Sequence, residues 1–285
     1  VQRIVPHAGW VKLNLPELWA YRELLFFLAW RDVKVRYKQT LLGASWAVLV
    51  PLLTMVVFNV LFGLLMGQNN KPTPAGVPYA ISTFAALVPW QLFASAMGGS
   101  GNSVVANRNM ITKVYFPRLI APLAPILSSL VDFVIAFGVL VLLIIVYVAT
   151  DRYEFVFSWR LLVVPFFVFL AILTALSLSL WLSAANALFR DVKYIIPFVT
   201  QMLMYVSPVI YSADSIITDS TPRWFAIAYS LNPMVGVLEG FRWALLDGGM
   251  ISVPLVATST VGVLLLLFGG AMYFRRMERR FADLA

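Results

Sequence analysis

The chain has no cysteine, a single histidine (His7), and charge on only 12% of its 285 residues. Without cysteine there is no disulfide framework and no thiolate metal site. One histidine rules out a multi-histidine metal or catalytic cluster. No G-x-x-x-x-G-K-[ST] loop occurs, so nucleotide phosphates are not cradled in that manner. No carboxylate pair is spaced for acid–base work, and no nucleophile has a histidine partner. The residues therefore offer no catalytic site, no metal site and no cofactor site. What fills the chain is apolar: 61% of it is hydrophobic, and its mean hydropathy is +0.87. A soluble domain carries about twice this charge fraction, so lipid is the solvent that fits. The net charge of +8 does not indicate nucleic acid, because the charges are concentrated between the apolar runs. The first such run begins far from the N-terminus with no cleavage pattern after it, so no signal peptide is expected.

Five runs reach the roughly 20 apolar residues that a spanning helix needs: 46–66, 79–97, 121–149, 161–188 and 252–274. A sixth, 194–211, is shorter and carries Pro197 and Pro208, but it holds no charge and is counted as spanning. The third and fourth runs exceed the need, which predicts tilt or a bend, most naturally at Pro122 and Pro125. Sixteen of the 21 basic residues fall in the N-terminal segment, the 107–118 loop, the turn with Arg190 and Lys193, and the tail from Arg275. Lys71, Arg152, Arg160, Arg223 and Arg242 fall on the opposite side. Basic loops stay cytoplasmic, so both termini are expected inside and the number of spans is even.

Two apolar segments do not span. In 15–37, Asn14 and Glu17 resemble a capping box, and Pro16 suits a first helical turn. The apolar run from Leu24 to Trp30 is flanked by charge, which suits an amphipathic helix in the cytoplasmic interface; the alternative is a helix packed on the bundle. In 216–249, two short apolar pieces are broken by Asn232 and Pro233, giving either a re-entrant hairpin or a small extracytoplasmic cap. Trp224, Phe225, Tyr229, Phe241 and Trp243 are interfacial residue types and favour the former. Gly98, Gly99, Ser100 and Gly101 read as a flexible helix end after the second span.

Asp132 is the one ionisable group clearly inside a span. It is either neutralised by nearby hydroxyls or by a basic residue of another helix, or it couples transport to protons. Asn59, Asn186 and Gln201 read as polar glue between helices. The loop NRNMITKVYFPR, 107–118, is basic and carries an apolar set: Met110, Ile111, Val114, Tyr115 and Phe116. Such a short element suits docking of a partner protein.

Four stretches together resemble a known family: RDVKVRYKQTLLGASWAVLVPLLTM (31–55), NRNMITKVYFPR (107–118), NALFRDVKYIIPF (186–198) and SPVIY…LNPM (207–234). In their order and spacing, the chain is similar to the membrane (permease) subunits of bacterial ABC exporters of O-antigen, capsule and teichoic acid. The resemblance implies an all-α integral membrane protein of the bacterial cytoplasmic (inner) membrane, a single permease domain over 1–285. It implies six transmembrane helices, an N-terminal interface helix at 15–37, a short cytoplasmic coupling helix within 107–118, and an extracytoplasmic re-entrant hairpin at 216–249. It also implies pairing with a second copy of the chain and with two copies of a cytoplasmic ABC ATPase, which binds ATP and Mg. On this reading Arg108, Asn109, Met110, Ile111, Lys113, Val114, Tyr115 and Phe116 contact the ATPase. A lipid-linked polysaccharide slides past an aromatic wall, for which Phe58, Trp90, Tyr205, Tyr211, Phe241 and Trp243 are the candidates. The rival readings are a secondary transporter or channel using Asp132, export of another lipid-like or drug-like substrate, and a membrane glycosyltransferase.

Overall fold

The computed structural model of the chain describes residues 15–38, 45–65, 67, 76–218, 220–246 and 252–278. Asn14 and the tail residues Arg279 and Arg280 lie outside them. Every regular element among the described residues is helical. In chain order these are α1 (Leu15–Ala20), α2 (Arg22–Tyr37), α3 (Ser45–Phe58, continued by a π-helical stretch Asn59–Leu65), α4 (Tyr79–Ala106), α5 (Arg108–Lys113) and α6 (Ile120–Ala149). A 3-10 turn, Trp159–Val163, leads into α7 (Val164–Leu188), followed by α8 (Val192–Val206), α9 (Arg223–Ser230), α10 (Pro233–Leu246) and α11 (Val253–Glu278).

Five of these helical segments are long and apolar enough to cross a membrane: Val48–Leu65, Tyr79–Ala106, Ile120–Ala149, Trp159–Leu188 and Val253–Glu278. The run expected at 194–211 is a helix only from Val192 to Val206. It stops because Pro208 pushes the residue before it out of helical geometry, and Ser207 is accordingly extended at φ −88°, ψ 151°. Fifteen residues give about 22 Å of helix, short of a bilayer core.

Helix α4 is the axis of the bundle and packs against α3, α6, α7, α8 and α10. Its small residues allow neighbours on all sides: Ala85, Ala86, Ala96, Ser100 and Gly101 are buried. The expectation of a flexible helix end at 98–101 is therefore corrected. The helix runs on to Ala106, and a Cβ on Gly99 would lie 2.8 Å from Pro125 Cβ. Gly99 permits close contact with α6 and Gly101 with Ile196, so glycine at these two positions signals packing. Some buried hydroxyls bond within their own helices: Thr174 donates to Leu170 O at 2.8 Å, and Ser129 to Ile126 O at 2.7 Å; Ser100 instead crosses to Pro122 O of α6 at 2.5 Å.

Hydrogen bonds sort the helix ends into two groups. At one end Arg31 donates to Asn107 Oδ1 (3.0 Å), Asn186 donates to Gly101 O (3.0 Å), and Arg118 donates to the carbonyl of Glu278. At the other, Tyr79 donates to Ile210 O (2.8 Å), Tyr153 to Leu246 O (3.0 Å), and Ser259 to Ser230 O (2.8 Å). The bundle is thus closed by side chains at both rims.

The break expected at Asn232 and Pro233 is present. Asn232 Oδ1 accepts from Met234 N at 3.1 Å and Pro233 opens α10. The two pieces differ sharply. Helix α9 leaves Trp224, Ile227 and Leu231 exposed, whereas α10 is buried along most of its length against α4, α7 and α11. Gly240 makes that contact possible, since a Cβ there would fall 1.9 Å from the Phe167 ring. We expect Gly240→Ala to destabilise the chain by about 1–3 kcal/mol through overpacking, measured as lowered thermal stability in nanodiscs. Unchanged stability would show that α10 is not held this tightly.

Candidate functional site

The 107–118 loop forms a short helix, α5, followed by an extended segment from Val114. Asn107 is buried and donates to Ser103 O at 2.9 Å, which fixes α5 to the end of α4. The loop's apolar residues face two ways. Val114 and Tyr115 are 56% and 81% exposed, beside exposed Arg108, Asn109 and Lys113. Phe116 is buried at 4%, and Met110 and Ile111 pack with it against Leu28 and Ala29 of α2. Only part of the apolar set is therefore exposed. The Tyr115 hydroxyl lies 3.3 Å from Glu17 Oε1 of α1, whose charge, with burial, pushes the phenol above its ordinary value.

Helix α2 runs alongside the first half of α6. Leu28 and Ala29 cluster with Phe116, Ile120 and Ala124, while Arg36 and Tyr37 reach Ser128 and Asp132. Its other side exposes Phe26, Phe27 and Trp30, with Lys34 Nζ 5.7 Å from the Trp30 ring centre. Asp132 has a definite partner: Arg36 and Tyr37 each donate to one carboxylate oxygen, and Arg36 also reaches Ser128 Oγ at 3.5 Å. The pairing is the one an acid within a span needs from a neighbouring helix. Asn186 links α7 to α4 through Gly101 O and Asn102 Oδ1, each at 3.0 Å. Gln201 instead is exposed on α8 and borders a groove. Asn59 Oδ1 is buried without a partner among the described residues.

The six aromatic candidates do not form one wall in a single chain. Phe58 is partly buried, edge-on to Phe62 at 6.0 Å. Phe241 is fully buried against Phe137, and Trp243 is edge-on to Trp159 with Arg160 4.9 Å from its ring centre. Tyr211 closes the end of α8, donating to Val206 O at 2.9 Å and Tyr205 O at 3.1 Å. Trp90 is buried but borders a groove of about 450 Å³ between α4 and α8, with Asn102, Lys193, Thr200 and Gln201 on its walls. Beside that groove Tyr194, Phe198 and Tyr205 are 68%, 61% and 54% exposed. Their spacing of i, i+4 and i+11 puts them within about 40° on one face of α8, together with Gln201. Tyr194 and Phe198 are not among the six candidates, although their spacing is legible in the sequence.

Arg242, counted in the sequence only among the basic residues of the side opposite the termini, is 7% exposed inside α10. It donates to Pro208 O and Val209 O at 2.7 Å, to Tyr211 O at 3.0 Å and to Ser82 O of α4 at 3.1 Å. Glu239 accepts from Arg242 at 3.1 Å and from Ala213 N at 2.9 Å. With Tyr79 on Ile210 O, four successive carbonyls after α8 are satisfied by side chains. Non-helical backbone is tolerated in apolar surroundings only when its polar groups are satisfied in this way. The signal was an i, i+3 Glu–Arg pair within an apolar helix.

Comparison with known proteins gives concordant results. The family profile described as ABC-2 type transporter matches residues 23–246. The chain is 30% identical over 263 residues to the O-antigen export system permease protein RfbA of Myxococcus xanthus, covering 92% of this chain and 95% of that one. It is 27% identical over 274 residues to a Klebsiella pneumoniae RfbA of the same description (96% and 98% covered). With the polysialic acid transport protein KpsM of Escherichia coli the identity is 24% over 259 residues (87% and 91% covered).

Proposed function

The chain belongs to the ABC-2 type transporter membrane family, and from that premise we propose that it is the membrane subunit of an ATP-driven exporter of a lipid-linked polysaccharide, of the O-antigen, capsule or teichoic acid class. Two copies pair to form the conduit, and two copies of a cytoplasmic ATPase, which bind ATP and Mg, drive it. The observation that carries this reading is the likeness to polysaccharide-export permeases along nearly the whole chain.

On this reading each part of the bundle has a role. The end of the bundle with α2, α5 and the α4–α6 turn is cytoplasmic, as its many arginines and lysines favour. Exposed Val114 and Tyr115 with Arg108, Asn109 and Lys113 form the coupling surface. Helix α2 serves as the interface helix, with Phe26, Phe27 and Trp30 toward lipid. Helix α8 is the sixth span. Its Ile196 meets the Gly101 level of α4, and its continuation at 208–211 meets Tyr79 and Ser82 at the other end of α4. Helix and extended tail together thus match about 20 residues, or about 30 Å, of α4. An even number of spans keeps both termini cytoplasmic. Helices α9 and α10 form the extracytoplasmic hairpin. The α8 face of Tyr194, Phe198, Gln201 and Tyr205 lines the conduit, where ring faces let a sugar chain slide without tight binding.

The Arg36–Asp132 pair favours a structural role for this acid, since the contact ties α2 to α6. In proteoliposomes holding this chain and its ATPase, transport of a lipid-linked glycan should require ATP and persist when the proton gradient is collapsed. Transport that follows the gradient, or that proceeds without the ATPase, would overturn the proposal. A purified chain that elongates a polyprenyl-linked donor would favour the glycosyltransferase reading instead.

A further inference from the structure

A second cavity, of about 310 Å³, lies among α2, α3, α4 and α6. Its volume sits at the lower limit of small-ligand pockets, which start at about 300 Å³. Five polar side chains border it: Arg36, Tyr37, Asp132, Gln91 and Ser95. Leu92 and Ala136, both buried, and partly buried Phe133 add an apolar side. Half-exposed Trp46 and exposed Val50 mark where it opens on the outer side of α3.

The charges decide what this cavity accepts. Arg36 and Asp132 neutralise each other, so there is no net charge to draw in a diphosphate or an ammonium group. What remains is hydrogen-bonding capacity of both kinds. Each Asp132 oxygen has a second lone pair beyond the bond it accepts, and Arg36 has N–H groups in excess of its two acceptors. The side chains of Gln91 and Ser95 make no hydrogen bond to another described residue, although both border the cavity. Donors and acceptors along one edge, with apolar and aromatic surface beside them, match a ring that carries hydroxyls at its rim and C–H groups on its faces. Bonds from hydroxyls to ionised partners are also the stronger kind.

We infer that this cavity is a binding site for a single neutral hexopyranose ring, the sugar part of an amphiphile whose hydrocarbon lies along α3. The exposed outer face of α3, with Leu53, Val57, Leu61 and Leu64, leads away from the opening and suits an acyl or prenyl chain. The inference rests on the export reading above for the origin of that amphiphile. The site is distinct from the α4–α8 groove and shares no residue with it.

The test uses the full chain with its ATPase in nanodiscs and two photoreactive probes of equal alkyl length, a neutral alkyl hexopyranoside and an alkyl phosphate. The hexopyranoside should label peptides containing Trp46, Gln91 or Phe133, and the phosphate should not. Gln91→Leu, near-isosteric but unable to bond a hydroxyl, should lower that labelling about tenfold, as loss of a hydrogen bond of about 1.4 kcal/mol would. Ser95→Ala gives a second reading should Gln91→Leu fold poorly. Equal labelling by both probes, or labelling indifferent to both substitutions, overturns the site. Glycan export by a chain that takes no label removes the site and leaves the export reading standing. Specific labelling of a chain that exports no glycan does the reverse.

Discussion

Arg242→Ala is expected to yield a chain that barely accumulates in the membrane and exports nothing. The guanidinium satisfies the carbonyls of Ser82, Pro208, Val209 and Tyr211 while pairing with Glu239, and it is almost fully buried. Alanine would remove the donor from four carbonyls and leave Glu239 with only the N–H of Ala213. Breaking a buried ion pair by removing one partner costs about 3–5 kcal/mol, and the unsatisfied carbonyls add to it. That corresponds to a midpoint of thermal unfolding lowered by about 10 °C or more. Arg242→Lys keeps the charge but offers one nitrogen in place of the planar fork, so it should fall between the two. Unfolding of purified variants in nanodiscs, followed by tryptophan fluorescence, gives the order wild type, Lys, Ala. An alanine variant as stable as wild type would mean that the carbonyls of 208–211 find other donors. The loss of export should exceed the loss of protein, because α8 carries the exposed aromatic face and is anchored at this end by the same carbonyls.

Tyr115→Asp should have the opposite profile, with normal folding and lost function. Tyr115 is 81% exposed, so its replacement should change stability by no more than about 0.5 kcal/mol. A tyrosine at the centre of an interface is, in contrast, worth about 2 kcal/mol or more, and so about thirtyfold in affinity. Co-purification of the ATPase and glycan export should fall together, and Val114→Asp should act alike. Tyr115→Phe should retain both functions, since only the 3.3 Å bond to Glu17 is removed. Retention of ATPase and export by both aspartate variants would sink the coupling role. Met110→Asp is a poorer probe, because Met110 packs against α2 and its loss confuses folding with docking.

These two residues mark where sequence reading reached and where it stopped. Tyr115 was legible because it lies in a short basic loop, and a loop between two spans has little choice but to face water. Its neighbours Met110, Ile111 and Phe116 had the same local character, yet they turn inward because α2 offers Leu28 and Ala29 to meet them. For Asp132 the sequence left two readings open, a carboxylate held by hydroxyls or by a base on another helix and an acid that couples transport to protons; the structure places Arg36 and Tyr37 on it. Which base, Arg36, was beyond reach: it lies 96 residues away. Phe241 carried the composition of an interfacial aromatic, but the close approach allowed by Gly240 brings α10 against α7 and leaves it in the core.

Helicity, the apolar runs and the gathering of basic residues between them were determined by the sequence alone. Each depends on quantities counted along the chain: the rise per residue, the thickness of hydrocarbon, and the charge of a loop. Only the tertiary structure decided which polar group meets which inside the bundle. Arg242 finds Ser82 across 160 residues, and Asn186 finds Gly101 across 85. Apolar burial is non-directional and leaves its mark in composition, whereas a buried polar group must find one partner at one distance. That requirement is met in three dimensions, and it set the partners of the carbonyls after α8, the pairing of Asp132 and the polar edge of the cavity beside α3.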